Sequence, residues 1–376
     1  MIVQGLSLGV LAIWLGLILG RDGFWMARER DDRNLPAAPP RWPDVTAIVP
    51  ARDEADVVAR SIGSLIAQDY PGRFRIVLVD DSSSDGTGAI VRALGSNRVD
   101  VLAGMLLPHG WTGKLWAMEQ GIESAGSAPV WLWLTDADIA HAPDTLRALV
   151  ARGETGGFTL VSLMARLRCE TFAERMLVPA FVFFFQMLYP FARVNRPGTA
   201  GAAAGGCMLV RRTALERAGG IDAIRGALID DCTLGALLKR QGPVWLGLTD
   251  RSLSIRPYDD FASVAAMISR SAYAQLRYSP WLLTGTLLGL LLVYVAPPLL
   301  ALFGQGLTRW FGLIAWLAMA LSFQPILRFY RRSPLWGLAL PGIAAFYAGC
   351  TLLSAWQHAR GRGGMWKGRA QAGAES

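Results

Sequence analysis

Three acidic clusters stand where short apolar runs end. Pro50-Ala51-Arg52-Asp-Glu54 follows Val45–Val49, and Asp80-Asp81-Ser-Ser-Ser-Asp85-Gly-Thr follows Arg75–Val79. Thr135-Asp136-Ala-Asp138 follows Val130–Leu134. Lys114 comes directly after Gly113 at the start of a helical pattern, and Asp230-Asp231 follows the apolar Ala227-Leu-Ile. Such carboxylates suit a hard divalent cation, Mg2+ or Mn2+, which takes few protein oxygens and completes its shell with phosphate and water. That cation neutralises a leaving diphosphate as a Lewis acid. An ammonium at a helix start suits an anion, and an acid at 230–231 suits a general base within reach of a hydroxyl. The combined chemistry is that of a nucleoside diphosphate held through a cation.

Each cluster also has an ordinary reading. Asp85 is most simply the N-cap of a helix over Gly86–Leu94. Asp80, Asp81 and Ser82–Ser84 are readable as turn residues, Lys114 as a surface lysine at a cap, and Asp230 as an N-cap. Asp136-x-Asp138 is short and common, and by itself it is equally a turn. Position adds weight, because ligands of open α/β sheets sit outside the carboxyl ends of the strands, where these loops fall. No G-x-G-x-x-G follows the first strand and no G-x-x-x-x-G-K-[ST] occurs, so dinucleotide and P-loop readings lose their support. The chain has three histidines and four scattered cysteines, Cys169, Cys207, Cys232 and Cys350, none in a C-x-x-C pair. Zinc chemistry is therefore disfavoured, and reduced thiols suit a cytosolic compartment.

The elements that must carry these loops alternate. Strand candidates at Val45–Val49, Arg75–Val79, Val99–Leu102 and Val130–Leu134 are separated by helical patterns at Ala55–Ala67, Gly86–Leu94 and Leu115–Ala125. This order predicts an α/β domain with a mostly parallel sheet and helices on both faces. Trp131-Leu-Trp-Leu is apolar on both faces, as a central parallel strand must be. Further strands are expected at Phe158–Met164 and Cys207–Val210, and helices at Thr213–Ala218 and Cys232–Arg240. Met176–Tyr189, bounded by Pro179 and Pro190, reads as a buried or interfacial helix before a bilayer span.

The chain has 376 residues, 52% of them hydrophobic, which is too apolar for an ordinary soluble protein. Ile2–Gly20, Trp281–Phe303, Trp310–Leu327 and Leu335–Trp356 carry no charge and are long enough to cross a bilayer. The first has no basic n-region or small-x-small site, so it reads as an anchor before a signal peptide. The expected organisation is a membrane helix over 1–20, a charged and Pro-rich linker over 21–44 and a catalytic domain over 45–258. An amphipathic helix over 259–280, a membrane region of two to three spans over 281–356 and a basic tail over 357–376 follow. The net charge of +8 lies entirely in residues 256–376, which hold 11 basic and three acidic groups. Beside membrane segments, anionic headgroups are a simpler partner than nucleic acid. Arg21, Arg28, Arg30 and Arg33 put residue 21 onward in the cytoplasm. Three C-terminal spans would then put Arg360, Arg362, Lys367 and Arg369 outside, against the same rule. Leu335–Trp356, broken by Pro341 and Gly342, is the segment most readily taken as re-entrant.

In order, Val49-Pro-Ala-Arg-Asp-Glu54, Val79-Asp-Asp-Ser-Ser-Ser-Asp-Gly-Thr87, Gly113-Lys114, Asp136-Ala-Asp138, Gly205-Gly206 and Asp230-Asp231 resemble the family 2 glycosyltransferases of the GT-A fold. Three further stretches resemble the bacterial hopene-associated subgroup: Pro108-His-Gly-Trp-Thr-Gly-Lys-Leu-Trp-Ala, Gln275-Leu-Arg-Tyr-Ser and Gly361-Arg-Gly-Gly-Met-Trp-Lys-Gly-Arg369. The resemblance implies a nucleotide-diphospho-sugar site built from Pro50, Ala51, Arg52, Glu54, Asp81, Lys114, Asp136, Gly206 and Arg277. It implies Asp138 at the metal, Mg2+ or Mn2+, and Asp231 as catalytic base of an inverting transfer. Apolar segments on both sides of the domain point to a membrane lipid acceptor, which the subgroup resemblance implies to be a hopanoid, with a polyprenyl phosphate or another lipid alcohol as alternatives. The expected place is the bacterial inner membrane, with the catalytic domain on the cytosolic side. Processive members carry Q-x-x-R-W, whereas this chain has Ala274-Gln-Leu-Arg277-Tyr278, which favours a single transfer over a polymer synthase. An inactive scaffold of the same fold is the remaining alternative, and the intact carboxylate set speaks against it.

Overall fold

The apolar runs pair side by side into one mixed sheet. The computed structural model describes residues 1–361, 365–366 and 369–370. Its strands are β1 (Val45–Ala51), β2 (Phe74–Asp80), β3 (Val99–Ala103), β4 (Trp131–Thr135), β5 (Ile139–His141), β6 (Leu160–Arg166), β7 (Cys207–Arg211) and β8 (Val244–Ser254). They lie in the order β3-β2-β1-β4-β7-β6-β8-β5. The first four run parallel, as do β6 and β8. Strand β7 is antiparallel to β4 and β6, and β5 is antiparallel to β8. Every residue of β1 and β4 is buried, as continuous apolar strands covered on both faces require.

Strands β5 and β8 and the helix Thr145–Thr155 are additions to the sequence reading. Three residues are too few for β5 to show a period. The strand β8 is interrupted by Gly247 and turns polar after Leu248. The helix Thr145–Thr155 contains Gly153, which lowers its intrinsic propensity. Packing supplies the reason for that glycine, since a Cβ there would come within 2.8 Å of the Trp131 ring. Asp85 does not hold the cap position expected for it. Gly86 does, in the left-handed region at φ 88°, which a glycine adopts without strain. Asp85 instead accepts from Thr87 N at 3.0 Å and Ala55 N at 2.8 Å, tying the loop after β2 to the loop after β1.

The chain forms two compact units. One holds Glu29–Arg168 and Val194–Pro257, hence the whole main sheet. Part of the segment expected as a linker belongs to it. Asp31 N donates to Leu248 O at 3.0 Å, Leu248 N donates to Glu29 O at 2.9 Å, and Trp42 packs edge-on against Tyr70. The other unit holds Met1–Arg28, Cys169–Arg193 and Tyr258–Gly363. The span expected as one domain over 45–258 is therefore interrupted. The inserted helix, Phe172–Leu188, opens with a Thr171–Glu174 capping box and buries Leu177, Val178, Val182 and Phe183. This matches a buried helix.

Within the second unit the helix over the amphipathic segment is Phe261–Gln275. Among the described residues, three helices are long and apolar enough to cross a membrane: Ile2–Gly20, Pro280–Phe303 and Leu307–Phe329. Leu8, Leu15, Leu288, Leu299, Trp310 and Leu317 are exposed along them, a surface suited to lipid. The fourth charge-free stretch folds as a short turn, Pro334–Gly337, and a helix, Leu340–Ala359, which is not among those three. Most of the basic tail, including Arg362 and Lys367, lies outside the described residues.

Candidate functional site

The loops at the carboxyl ends of β1 and β2 are laced together. Pro50 and Ala51 are buried inside β1, and Ala51 O accepts from Asp81 N at 2.8 Å. Asp53, at φ 50°, accepts from Ser84 N at 2.7 Å, and Glu54 N donates to Thr87 Oγ1 at 2.8 Å. The Asp81 carboxylate is buried and lies 3.6 Å from Arg52 Nη1. Arg52 also donates to Asp81 O. The turn residues are thus structural and site-forming together: their mutual bonds shape one edge.

Lys114 is the hub of the second half. Thr112 caps its helix, Gly113–Ser124, by accepting from Leu115 N. The ammonium stands 2.9 Å from Asp136 Oδ1 and 3.0 Å from Asp230 Oδ2, and the Lys114 side chain is 15% exposed. It is not a surface cap. Burial by itself would lower its pKa, but Asp136 and Asp230 outweigh burial and raise it, so it stays charged. Asp230 is the first residue of the helix Asp230–Lys239, and Ile229 occupies the cap position. Asp230 Oδ2 is buried and, though within ion-pair distance of Lys114, accepts no hydrogen bond.

Asp231 is held by two backbone donors, Gly205 N at 2.9 Å and Cys232 N at 2.7 Å. Burial, then the charge of Asp230, push its carboxyl up to about 6, while Lys114 and the two N–H groups pull the other way. A carboxyl poised there takes a proton readily near neutral pH. Gly205 lines this cluster closely: a Cβ there would stand in van der Waals contact, 3.4 Å from Asp231 Oδ2 and 3.5 Å from Lys114 Nζ. Gly206 supplies its carbonyl to Thr135 Oγ1 at 2.8 Å, which anchors the residue before Asp136. His141 closes that anchor, 2.9 Å from Thr135 Oγ1 and from Ser252 Oγ. Burial lowers its pKa to about 3, so it is neutral and structural.

The helix carrying Asp231 approaches the glycine-rich strand entry closely. A Cβ on Gly235 would overlap the Ala202 carbonyl carbon, and one on Gly201 would come within 2.6 Å of Gly235 O. We expect Gly235→Ala to push the helix off Gly205 and to destabilise by about 1–3 kcal/mol, as overpacking does. A urea unfolding midpoint of the detergent-solubilised chain checks this.

Arg256, just past β8, is the residue sequence reasoning missed. Its Nε donates to Asp138 Oδ2 at 2.8 Å, and its Nη2 donates to both Glu54 oxygens at 2.6 and 2.7 Å. No motif contains it, and its partners lie 118 and 202 residues away in sequence. Of the expected site residues, Pro50, Ala51, Arg52, Glu54, Asp81, Lys114, Asp136, Asp138, Gly206 and Asp231 all belong to the sheet unit. Arg277 belongs to the other unit, exposed and left-handed at φ 52° after the helix Phe261–Gln275.

The family described as Glycosyl transferase family 2 matches residues 46–219. The succinoglycan biosynthesis protein ExoO of Rhizobium meliloti is 34% identical over 160 residues, 39% of this chain and 44% of that protein. The 4,4'-diaponeurosporenoate glycosyltransferase of Staphylococcus aureus is 24% identical over 238 residues, 62% of this chain and 58% of that protein. The chain thus spans about half the length of these curated relatives. A mannosyltransferase from Pyrobaculum calidifontis, solved with GDP-Man and Mn2+, superposes with a TM-score of 0.56 at 18% identity. That match covers 94% of this chain and 99% of that one, and shows a shared GT-A-like fold.

Proposed function

We propose that this chain, which carries a glycosyl transferase family 2 domain over residues 46–219, moves one sugar from a nucleotide-diphospho-sugar to a membrane lipid with inversion. The observation that carries the reading is the bridge Asp136–Lys114–Asp230 beside Asp231. It joins an anion-binding cation, the D-x-D loop and a candidate base in one cluster.

The donor set fits a divalent cation. Glu54, Asp81, Asp136, Asp138, Asp230 and Asp231 are six carboxylates, against three cations, Arg52, Lys114 and Arg256. A diphosphate would not enter so negative an edge without further positive charge. Among the described residues, Asp136 Oδ2 and Asp138 Oδ1 accept no hydrogen bond. Among them, too, no group of three or more His, Cys, Asp or Glu is gathered as a cage. Mg2+ and Mn2+ are commonly held so, by one or two carboxylates with substrate phosphate completing the shell. Asp138 would hold the cation, with Asp136 beside it. Bound there, the cation supplies Lewis-acid neutralisation of the leaving diphosphate.

The chain's own residues do the rest. The laced loops of Pro50–Glu54 and Asp81 hold the nucleoside, and Lys114 holds a phosphate oxygen. Asp231 accepts the proton of the acceptor hydroxyl. The acceptor oxygen then bonds the anomeric carbon as the bond to the diphosphate breaks. Transfer should therefore fall as pH is lowered through about 6, where Asp231 becomes protonated. A pH profile of kcat/KM at saturating Mn2+ measures this, and a flat profile from pH 5 to 7 argues against Asp231.

Three candidate spans, one before and two after the catalytic segments, support a cytosolic tail, which its basic residues also favour. Membrane anchoring on both sides of the catalytic segments supports a lipid acceptor. The subgroup resemblance makes a hopanoid the first acceptor to try. The test is incubation of the purified full chain with labelled nucleotide-sugars and membrane lipid, with and without EDTA. A lipid bearing one sugar, lost with EDTA, is expected. A polymer would instead mean a processive synthase.

A further inference from the structure

Arg256 touches both sides of the proposed donor site. Glu54, 7% exposed, belongs to the nucleoside loop and is fixed to the β2 loop through Thr87. Asp138 belongs to the D-x-D loop and is held from below as well, its carbonyl accepting from Ile255 N at 2.9 Å. Pairing of β5 with β8 sets Ile139 opposite Ser254, which places Arg256 beside Asp138. One guanidinium then makes three hydrogen bonds to two carboxylates on loops far apart in sequence. A planar fork can do this, whereas a lysine ammonium, a point charge, cannot reproduce it.

We propose that Arg256 is a positioning residue that locks the nucleoside loop to the D-x-D loop, so that the two ends of one donor are bound as a unit. The inference rests on reading the site as a nucleotide-sugar site. Without Arg256, Glu54 and Asp138 are two partly buried carboxylates that repel each other and the diphosphate. Each then leaves the geometry the donor needs.

Calorimetry of the detergent-solubilised full chain tests it, titrating UDP, GDP and ADP in turn with excess Mn2+. For the nucleotide that binds, Arg256→Gln should raise Kd by about tenfold or more, and Arg256→Lys should recover part of the loss. Glu54→Gln should lose less affinity in the Arg256→Gln background than in the unsubstituted chain, because the two share one bridge. A residue that only supports folding would lower the binding stoichiometry and leave Kd unchanged, and that result overturns the proposal. Equal losses for Glu54→Gln in both backgrounds overturn it too. If the unsubstituted chain binds none of the three nucleotides, the donor reading itself falls and this inference with it.

Discussion

Asp231→Asn should stop sugar transfer while nucleotide binding persists. The substitution keeps size and shape but removes the group proposed to take the proton. General-base loss amounts to about 10²–10⁴-fold in rate, and no other carboxylate is held in the same way by Gly205 N and Cys232 N. Asparagine has one acceptor oxygen, so one of those two bonds is lost, at about 1 kcal/mol of local stability. Removing the Asp231 charge works in the opposite direction, since it relieves the repulsion with Asp230 that helps raise the Asp231 pKa. The fold should therefore survive. Single-turnover transfer, measured alongside calorimetric nucleotide affinity, separates the two effects. Near-full turnover would remove Asp231 from the base role and move attention to Asp230, whose Oδ2 is buried without a hydrogen bond.

Asp138→Ala should weaken nucleotide binding by about 100-fold in the presence of Mn2+ and far less in its absence. The contrast matters because two roles meet at Asp138: one oxygen accepts from Arg256, and the other is proposed to hold the cation. Alanine removes both, leaving Arg256 on Glu54 alone. A loss of affinity that is the same with and without Mn2+ would assign Asp138 only to Arg256. An affinity that does not change at all would remove the aspartate from the donor site.

The strands were legible where burial imposes a pattern. Val45–Val49, apolar but for the buried Thr46, and Trp131–Leu134, apolar throughout, carry that pattern because both strands are covered on both faces, and both fold as expected. The acidic loops were legible as loops because they interrupt those runs at the carboxyl ends. Strand β5 was not, being three residues long, nor was Thr145–Thr155, where Gly153 yields to the Trp131 ring. The cap expected at Asp85 passed to Gly86, because the Asp85 carboxylate had a partner in another loop, Ala55 N.

By itself the sequence determined which residue types meet an edge: carboxylates after β1, β2 and β4, a lysine at a helix start, and acids opening a later helix. It also set aside nucleotide folds built on glycine motifs, and it marked the apolar helices. Local patterns report burial and backbone conformation, and these are short-range. Which charges pair was decided only by tertiary structure. Lys114 stands between Asp136 and Asp230, and Arg256 between Asp138 and Glu54, because β4, β5 and β8 lie where they do in the sheet. A charge pair falls off with distance in space and carries no period in sequence.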